Sequence, residues 1–353
     1  MISPLYAVLP AGVDDPAAPS GGNRYDREVL NHLTDKNPDL VRETTVPGRW
    51  PRPAASDRDH LARVLGEFPD GALVLLDGLI CCGVPEVLEP HAARLRLVIL
   101  VHLPLSDETS LSAEEAAELR TLEGRALHLA TGVIATSDRA GAHVAAMHDL
   151  PVVHVAAPGV DRATPGTPSP TGHRLLCVAS LGPRKGQDLL LTALEQLTDR
   201  SWECTFAGAG RVPPVPATLS GRVTFTGPLA GGALAAAYEN ADLFVLPSRA
   251  ETYGMVVTEA LAHGLPVVAT DVGGVAEALG AAEAGGRSGV PGRLLPPEDP
   301  DLLAATLRTW LTDAALRDDW RALARARRET LTGWDETARR LATILRDIEE
   351  GTA

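Results

Sequence analysis

Glu251 and Glu259 bracket the segment Thr-Tyr-Gly-Met-Val-Val-Thr, and two carboxylates set around a glycine turn are where this sequence could do chemistry. Leu243 to Leu246 is an apolar, β-capable run that Pro247-Ser248-Arg249 breaks, so a strand passes into a loop that carries Glu251. From Gly254 the apolar residues change to helical spacing, at Met255, Val256 and Val257 and then at Ala260, Leu261 and Ala262. Gly264 and Pro266 stop the run, which puts Glu259 on a helix. The open N–H groups of the first turn, around Gly254 to Val256, form an anion site that the helix dipole favours. A carboxylate accepts two hydrogen bonds from a diol. Together these groups suit a ligand with phosphate at one end and vicinal hydroxyls at the other, and a nucleotide sugar is such a ligand.

A cation belongs beside such a site. The chain has two lysines, Lys36 and Lys185, and the second follows Arg184 and precedes Gly186 between an apolar run and a helical stretch. A cation at a strand-to-helix turn neutralises phosphate oxygens. Two weaker candidates lie earlier. Gly21 and Gly22 close a loop rich in Pro, Gly and Asp that starts at Pro10 and includes Pro19, and a glycine pair lets backbone approach a ligand closely. His102 follows the wholly apolar run Val98-Ile99-Leu100-Val101. A lone histidine is more often structural, but ligands of open α/β sheets collect at the carboxyl ends of strands.

The elements that must position these residues alternate. β-like runs at Leu5 to Leu9, Val41 to Val46, Ala72 to Asp77, Arg96 to His102 and Gly132 to Thr136 are separated by helical stretches, the first from Asn23 to about Leu33. That alternation predicts a doubly wound parallel sheet. Pro158 to Gly172, rich in Pro, Gly and Thr, reads as a boundary. Strand and helix patterns then restart: strand Leu175 to Ala179, helix Gln187 to Leu197, strands Glu203 to Ala207 and Arg222 to Thr226, and helix Gly231 to Glu239. Helices at Asp299 to Leu311, Ala314 to Arg328 and Glu336 to Ile348 close the chain, with Trp334 between the last two and the arginines of 324 to 328 read as a solvated face. The expected domains are 1–160, 173–333 and a final segment, 334–353. A cleft between two open sheets is the expected ligand site.

At 353 residues the chain fits two α/β domains, and 45% hydrophobic content means both should fold. A formal charge of −14 argues against nucleic acid or an anionic membrane surface as partner. Cys81, Cys82, Cys177 and Cys204 have no metal-ligand spacing, and the last two lie in apolar runs that suit buried thiols. No apolar run reaches the roughly 18 residues of a membrane span and no signal-like segment opens the chain, so a cytoplasmic protein is expected.

The residues resemble the retaining GT-B glycosyltransferases of family 4. Glu251 to Glu259 looks like that family's Glu-x7-Glu motif, Pro-Arg-Lys-Gly at 183–186 resembles its phosphate-binding segment, and LPVVATDVGG at 265–274 resembles the strand and glycine turn after it. Val133 to Ser137, Pro158 to Asp161, Gly21-Gly22 and His102 are also similar. The resemblance implies an α/β fold of two Rossmann-like domains facing each other across a cleft, with the last helix crossing back to the first. It implies that Glu259 holds ribose hydroxyls, that Glu251 and His102 meet donor-sugar hydroxyls, and that Tyr253, Gly254, Met255 and Val256 give backbone contacts to sugar and phosphate. Lys185 would stabilise the departing diphosphate. Ser180 stands where the family often has arginine, so Arg184 or Arg249 would supply a second cation. The expected activity is transfer of a hexose-type sugar from a UDP-, GDP- or similar donor to a small-molecule hydroxyl, with no metal and no cofactor. A lipid acceptor at a membrane, and a non-catalytic sugar-nucleotide binder on the same scaffold, are the competing readings. A nicotinamide oxidoreductase is disfavoured because GxGxxG is absent.

Overall fold

A computed structural model describes residues 4–15, 20–36, 40–109 and 111–351; Pro19 and Ser110, which the sequence places in loops, lie outside them. The chain divides into two compact units, Met1–Gly159 with Trp334–Ala353, and Val160–Gly333.

The first unit holds strands β1 (Leu5–Pro10), β2 (Val41–Val46), β3 (Leu73–Asp77), β4 (Arg96–Val101), β5 (Gly132–Ala135) and β6 (His154–Val155), in the spatial order β2-β1-β3-β4-β5-β6. Every pairing in it is parallel. Helices α1 (Gly21–Lys36), α2 (Ala55–Glu67), α3 (Gly78–Cys81), α4 (Pro85–Leu88), α5 (Ala113–Leu129) and α6 (Asp138–His148) connect the strands. Residues 97 to 101 of β4 are each no more than 2% exposed, as a strand covered on both faces requires.

The second unit repeats the plan. Strands β7 (Arg174–Val178), β8 (Glu203–Ala207), β9 (Val223–Gly227), β10 (Leu243–Leu246), β11 (Val267–Thr270) and β14 (Gly292–Leu295) form a parallel sheet ordered β14-β11-β10-β7-β8-β9. A hairpin of β12 (Ala282–Ala284) and β13 (Arg287–Gly289) sits apart from it. Its helices are α7 (Gln187–Glu195), α8 (Gly231–Glu239), α9 (Met255–Ala262), α10 (Val275–Leu279), α11 (Pro300–Thr312) and α12 (Ala314–Arg328). In both sheets the strand order reverses direction, between β1 and β3 and between β7 and β10, and the loops after those strands are where such folds bind ligands.

The last helix, α13 (Trp334–Glu350), begins at Trp334, two residues before the start at Glu336 that the sequence pattern predicts. It packs on α1: the Trp334 and Tyr25 rings meet edge to face at 5.9 Å, and Thr337 donates to the carbonyl of Ala157 at 2.9 Å. The arginines of α12 also depart from the sequence reading. Arg327 donates to the carbonyl of Leu279 and Arg328 to those of Ala262 and Ala163, so they tie the last residues of α10 and α9 and the segment at Ala163 to α12, and Arg325 is the exposed one. All four cysteines are buried and free. Among the described residues no helix is long and apolar enough to cross a membrane.

The Pro-rich segment after Val160 is not a loose tether. Asp242, fully buried, accepts hydrogen bonds from the amide and hydroxyl of Ser169 at 2.5 and 2.7 Å and from the amide and guanidinium of Arg174 at 2.9 to 3.1 Å. Burial alone would raise its carboxyl, but these bonds outweigh burial and hold it below the usual carboxylate range. A carboxyl lowered by folding contributes stability above its unfolded value of about 3.9, and that stability is lost as pH falls through the folded value. Asp242→Ala should therefore cost about 3 to 5 kcal/mol at pH 7 in urea unfolding, with the difference from the wild type shrinking in strong acid; a difference that does not depend on pH would remove the carboxylate from this role.

Candidate functional site

Two loops of the second unit meet at the switch point. The first follows β7 and carries Arg184, Lys185 and Gly186; the second follows β10 and runs from Pro247 to Gly254. Arg249 ties them. Its amide donates to the carbonyl of Arg184 at 2.7 Å, and its guanidinium reaches the carbonyl of Pro183 at 2.6 Å, both oxygens of Asp188 at 2.8 and 2.7 Å, and Glu298. The hydrogen bonds from Arg249 lower the Asp188 carboxyl. Arg249 is thus committed to the scaffold, which leaves Arg184 as the nearer candidate for the second cation; its guanidinium lies 3.4 Å from the carbonyl of Ala250.

This clamp sets Lys185 against Glu251. The Lys185 ammonium donates to Glu251 Oε1 at 2.6 Å, with the two side chains 15% and 8% exposed. The buried Ser248 hydroxyl donates to the same oxygen at 2.8 Å. On its far side the loop is pressed by the glycine turn after β11. Gly273 has φ +48°, and a Cβ there would stand 1.5 Å from the carbonyl oxygen of Glu251. The adjacent Gly274 amide donates to the carbonyl of Thr252 at 3.1 Å.

Gly254 then opens α9. Its φ of +88° is a left-handed geometry that suits glycine and turns the chain so that the first helical amides follow directly. Tyr253 is buried in the core, so its backbone, not its ring, is what a ligand could meet. Val257, Ala260 and Leu261 point inward, fully buried. Met255 and Glu259, one turn apart, are half-buried on the other face. The Tyr238 hydroxyl donates to Glu259 Oε2 at 2.8 Å, and its ring stacks on His263 with centroids 5.1 Å apart. Arg184, Lys185, Glu251, Gly254, Met255, Val256 and Glu259 therefore belong to one loop cluster and the helix it feeds.

The first unit gathers the remaining candidates. Gly21 and Gly22 are the first residues of α1 and not part of the loop, because Ser20 caps the helix by accepting from the Asn23 amide at 3.0 Å. Just past β4, the His102 ring lies on Gly22, where a Cβ would stand 3.0 Å from ring carbon Cδ2. Its Nε2 is 2.8 Å from Asp26 Oδ1. Sequence reasoning missed Asp26, Tyr238 and Ser248. Asp26 is 3% exposed although it stands among charged neighbours on α1, and it is Arg27 that pairs outward, with Asp14 and Glu43 at 2.8 Å. A signal for Asp26 was available: it stands one helical turn after Gly22. For Tyr238 there was none, since its partner is distant in the chain.

Comparison with known proteins decides the family. The family described as Glycosyl transferases group 1 matches residues 172–313, which include both loops and α9. A D-inositol 3-phosphate glycosyltransferase of Catenulispora acidiphila is 31% identical, the match covering 87% of this chain and 81% of that one. The chain belongs to the glycosyl transferases of group 1. A GDP-mannose-dependent mannosyltransferase of Mycobacterium tuberculosis that acts on phosphatidylinositol monomannoside is 33% identical, over 49% of this chain and 47% of that one. Among solved structures, the fold resembles the sucrose-phosphate synthase of Thermosynechococcus elongatus, with TM-score 0.77 and 20% identity over 99% of this chain and all of that one. It also resembles Anabaena HepE in complex with UDP-glucose, with TM-score 0.68 and 19% identity over 97% and 99%. This glycosyltransferase has the GT-B fold class, two parallel Rossmann-like sheets in one chain.

The glycine turn of this glycosyltransferase gives a test. Gly273→Ala should lower the melting temperature by the equivalent of about 1 to 3 kcal/mol, because strained φ and the clash with Glu251 add. Gly232→Ala, where a Cβ meets nothing within 4 Å, should be neutral or slightly stabilising. Equal effects would mean the turn does not press on the Glu251 loop.

Proposed function

We propose that the protein transfers a hexose-type sugar from a nucleoside-diphosphate sugar to an acceptor hydroxyl, with retention at the anomeric carbon, as in family 4, and without a metal ion. The contact that carries this reading is Lys185 on Glu251 at 2.6 Å, directly before the amides that open α9. A cation, an amide cradle and a hydroxyl-seeking carboxylate are then neighbours in the order that phosphate and sugar require. UDP-glucose bound to the structurally similar HepE, and the GDP-mannose dependence in the mannosyltransferase's name, support a nucleotide sugar as donor.

In this reading the diphosphate sits at the amides of Gly254 to Val256, where the helix dipole favours it. Lys185 leaves Glu251 for the phosphate oxygens as the bond from the anomeric carbon to the leaving oxygen opens, and the freed Glu251 accepts from sugar hydroxyls. Glu259, oriented by Tyr238, takes the ribose diol. The acceptor oxygen bonds to the anomeric carbon on the face the diphosphate leaves, and its proton passes to a leaving phosphate oxygen. No protein base is needed. A small-molecule acceptor is supported by the inositol phosphate named for the first relative, and by the pairing of Arg27 with Asp14 and Glu43, which leaves α1 little cationic surface for lipid.

Three outcomes follow. In a thermal-shift screen of UDP, GDP, ADP and dTDP, at least one should stabilise by about 2.7 kcal/mol at a hundred times its Kd, and silence from all four would contradict a nucleotide site. Lys185→Ala should reduce kcat about a hundredfold while raising the donor Kd far less; equal losses would make it an anchor only. Activity should survive EDTA, and a requirement for added manganese would contradict metal-free transfer.

A further inference from the structure

Asp26, Asp77 and His102 gather at the carboxyl ends of β3 and β4, and their charges do not balance. Asp26, on α1, is 3% exposed, with Oδ1 2.8 Å from His102 Nε2 and with no hydrogen-bond partner for Oδ2. Asp77 ends β3, 4% exposed, and accepts from the Leu79 amide at 2.8 Å. One imidazole can answer one carboxylate by holding a proton. The second carboxylate has no cation: among the described residues no lysine or arginine pairs with either, and Arg27, next to Asp26, is turned outward to Asp14 and Glu43. The Tyr25 hydroxyl is committed to the carbonyl of Ala156 at 2.9 Å. A carboxylate buried without compensation is costly, so this cluster lacks a positive partner.

Geometry leaves room for one. Asp26 and Asp77 line a cavity of about 10 Å³, about the size of a single water or ion, whose other walls include Leu9, Leu75, Leu100 and Leu341. A water there could donate to both carboxylates but would leave their charge. One ligand atom from each of Asp26, Asp77 and His102 lies within 4.8 Å of the others. Metal–ligand bonds of about 2.0 to 2.2 Å set ligand atoms roughly 3 to 4 Å apart, so small side-chain movements close the three on one ion. Two carboxylates and a neutral imidazole carry two negative charges, which a divalent cation cancels. One nitrogen with two oxygens suits a first-row transition ion, whereas calcium and magnesium take oxygen ligands. We propose that Asp26, Asp77 and His102 hold one structural divalent transition ion that fastens α1 to the ends of β3 and β4. On binding, the proton shared by His102 Nε2 and Asp26 leaves for solvent, and the ion takes its place. The inference is independent of the transferase reading: all three ligands belong to the first unit, whereas the diphosphate in that reading is held by amides and Lys185 of the second.

The test titrates zinc chloride into the full chain, first dialysed against a chelator, and follows binding by calorimetry and stability by melting temperature. The wild type should take up one zinc per chain and melt several degrees higher with it. Asp26→Asn and Asp77→Asn should each weaken zinc binding by at least about a hundredfold and abolish the rise. Asp70→Asn, at a carboxylate whose side chain is 84% exposed, should change neither. A wild type that takes up no zinc, or takes it up with no rise in melting temperature, overturns the inference, because protons then balance the cluster. Zinc bound equally well by both asparagine variants is held elsewhere and likewise overturns it. Should either variant fail to fold, X-ray absorption of the zinc-loaded wild type decides: one imidazole with oxygen ligands upholds the site, and sulfur or a second imidazole overturns it.

Discussion

A lysine and a glutamate held 2.6 Å apart, each largely withdrawn from water, are the constraint on which the site of the second unit depends. Removing one member of such a pair strands the other, at a cost of about 3 to 5 kcal/mol when burial is complete and less where, as here, part of each side chain stays wet. A ligand can separate them cheaply only if it supplies substitutes for both. An anion for the ammonium and hydroxyl donors for the carboxylate must arrive together, and a glycosyl diphosphate carries both.

Everything around the pair keeps it in register. Arg249 fastens the two loops through Asp188, Glu298 and the carbonyl of Pro183, Ser248 supplies Glu251 with a second donor, and Gly273 admits the loop backbone where any side chain would collide. The loops leave adjacent strands, β7 and β10, at the point where the strand order turns, so a sheet buried on both faces fixes their roots. His102 in the first unit is likewise rooted just past β4 and held from α1 by Asp26.

Several parallel strands were legible as runs of β-favouring residues: β2, β8 and β10 begin and end where the pattern of residues indicated, whereas β6 and β14 were not expected. The motif residues were legible for a related reason, since loops after strands have positions that chain order alone determines. Boundaries that depend on capping were less so. Ser20 extends α1 back over two glycines that composition assigns to a loop, and Trp334 starts α13 because its ring finds Tyr25. Side chains that act across the fold were not legible at all. Asp26, Tyr238 and the arginines of α12 look like ordinary surface residues until the partner that buries them is known. Asp242 similarly turns a segment with linker composition into part of a folded unit.

The most direct measurement is a crystal structure with an intact, non-hydrolysable analogue of the donor that the nucleotide screen selects. The account predicts diphosphate oxygens on the amides of Gly254 to Val256, the Lys185 ammonium moved from Glu251 to those oxygens, and Glu259 on the ribose diol. A donor bound elsewhere, or one bound there with Lys185 still on Glu251, would contradict it.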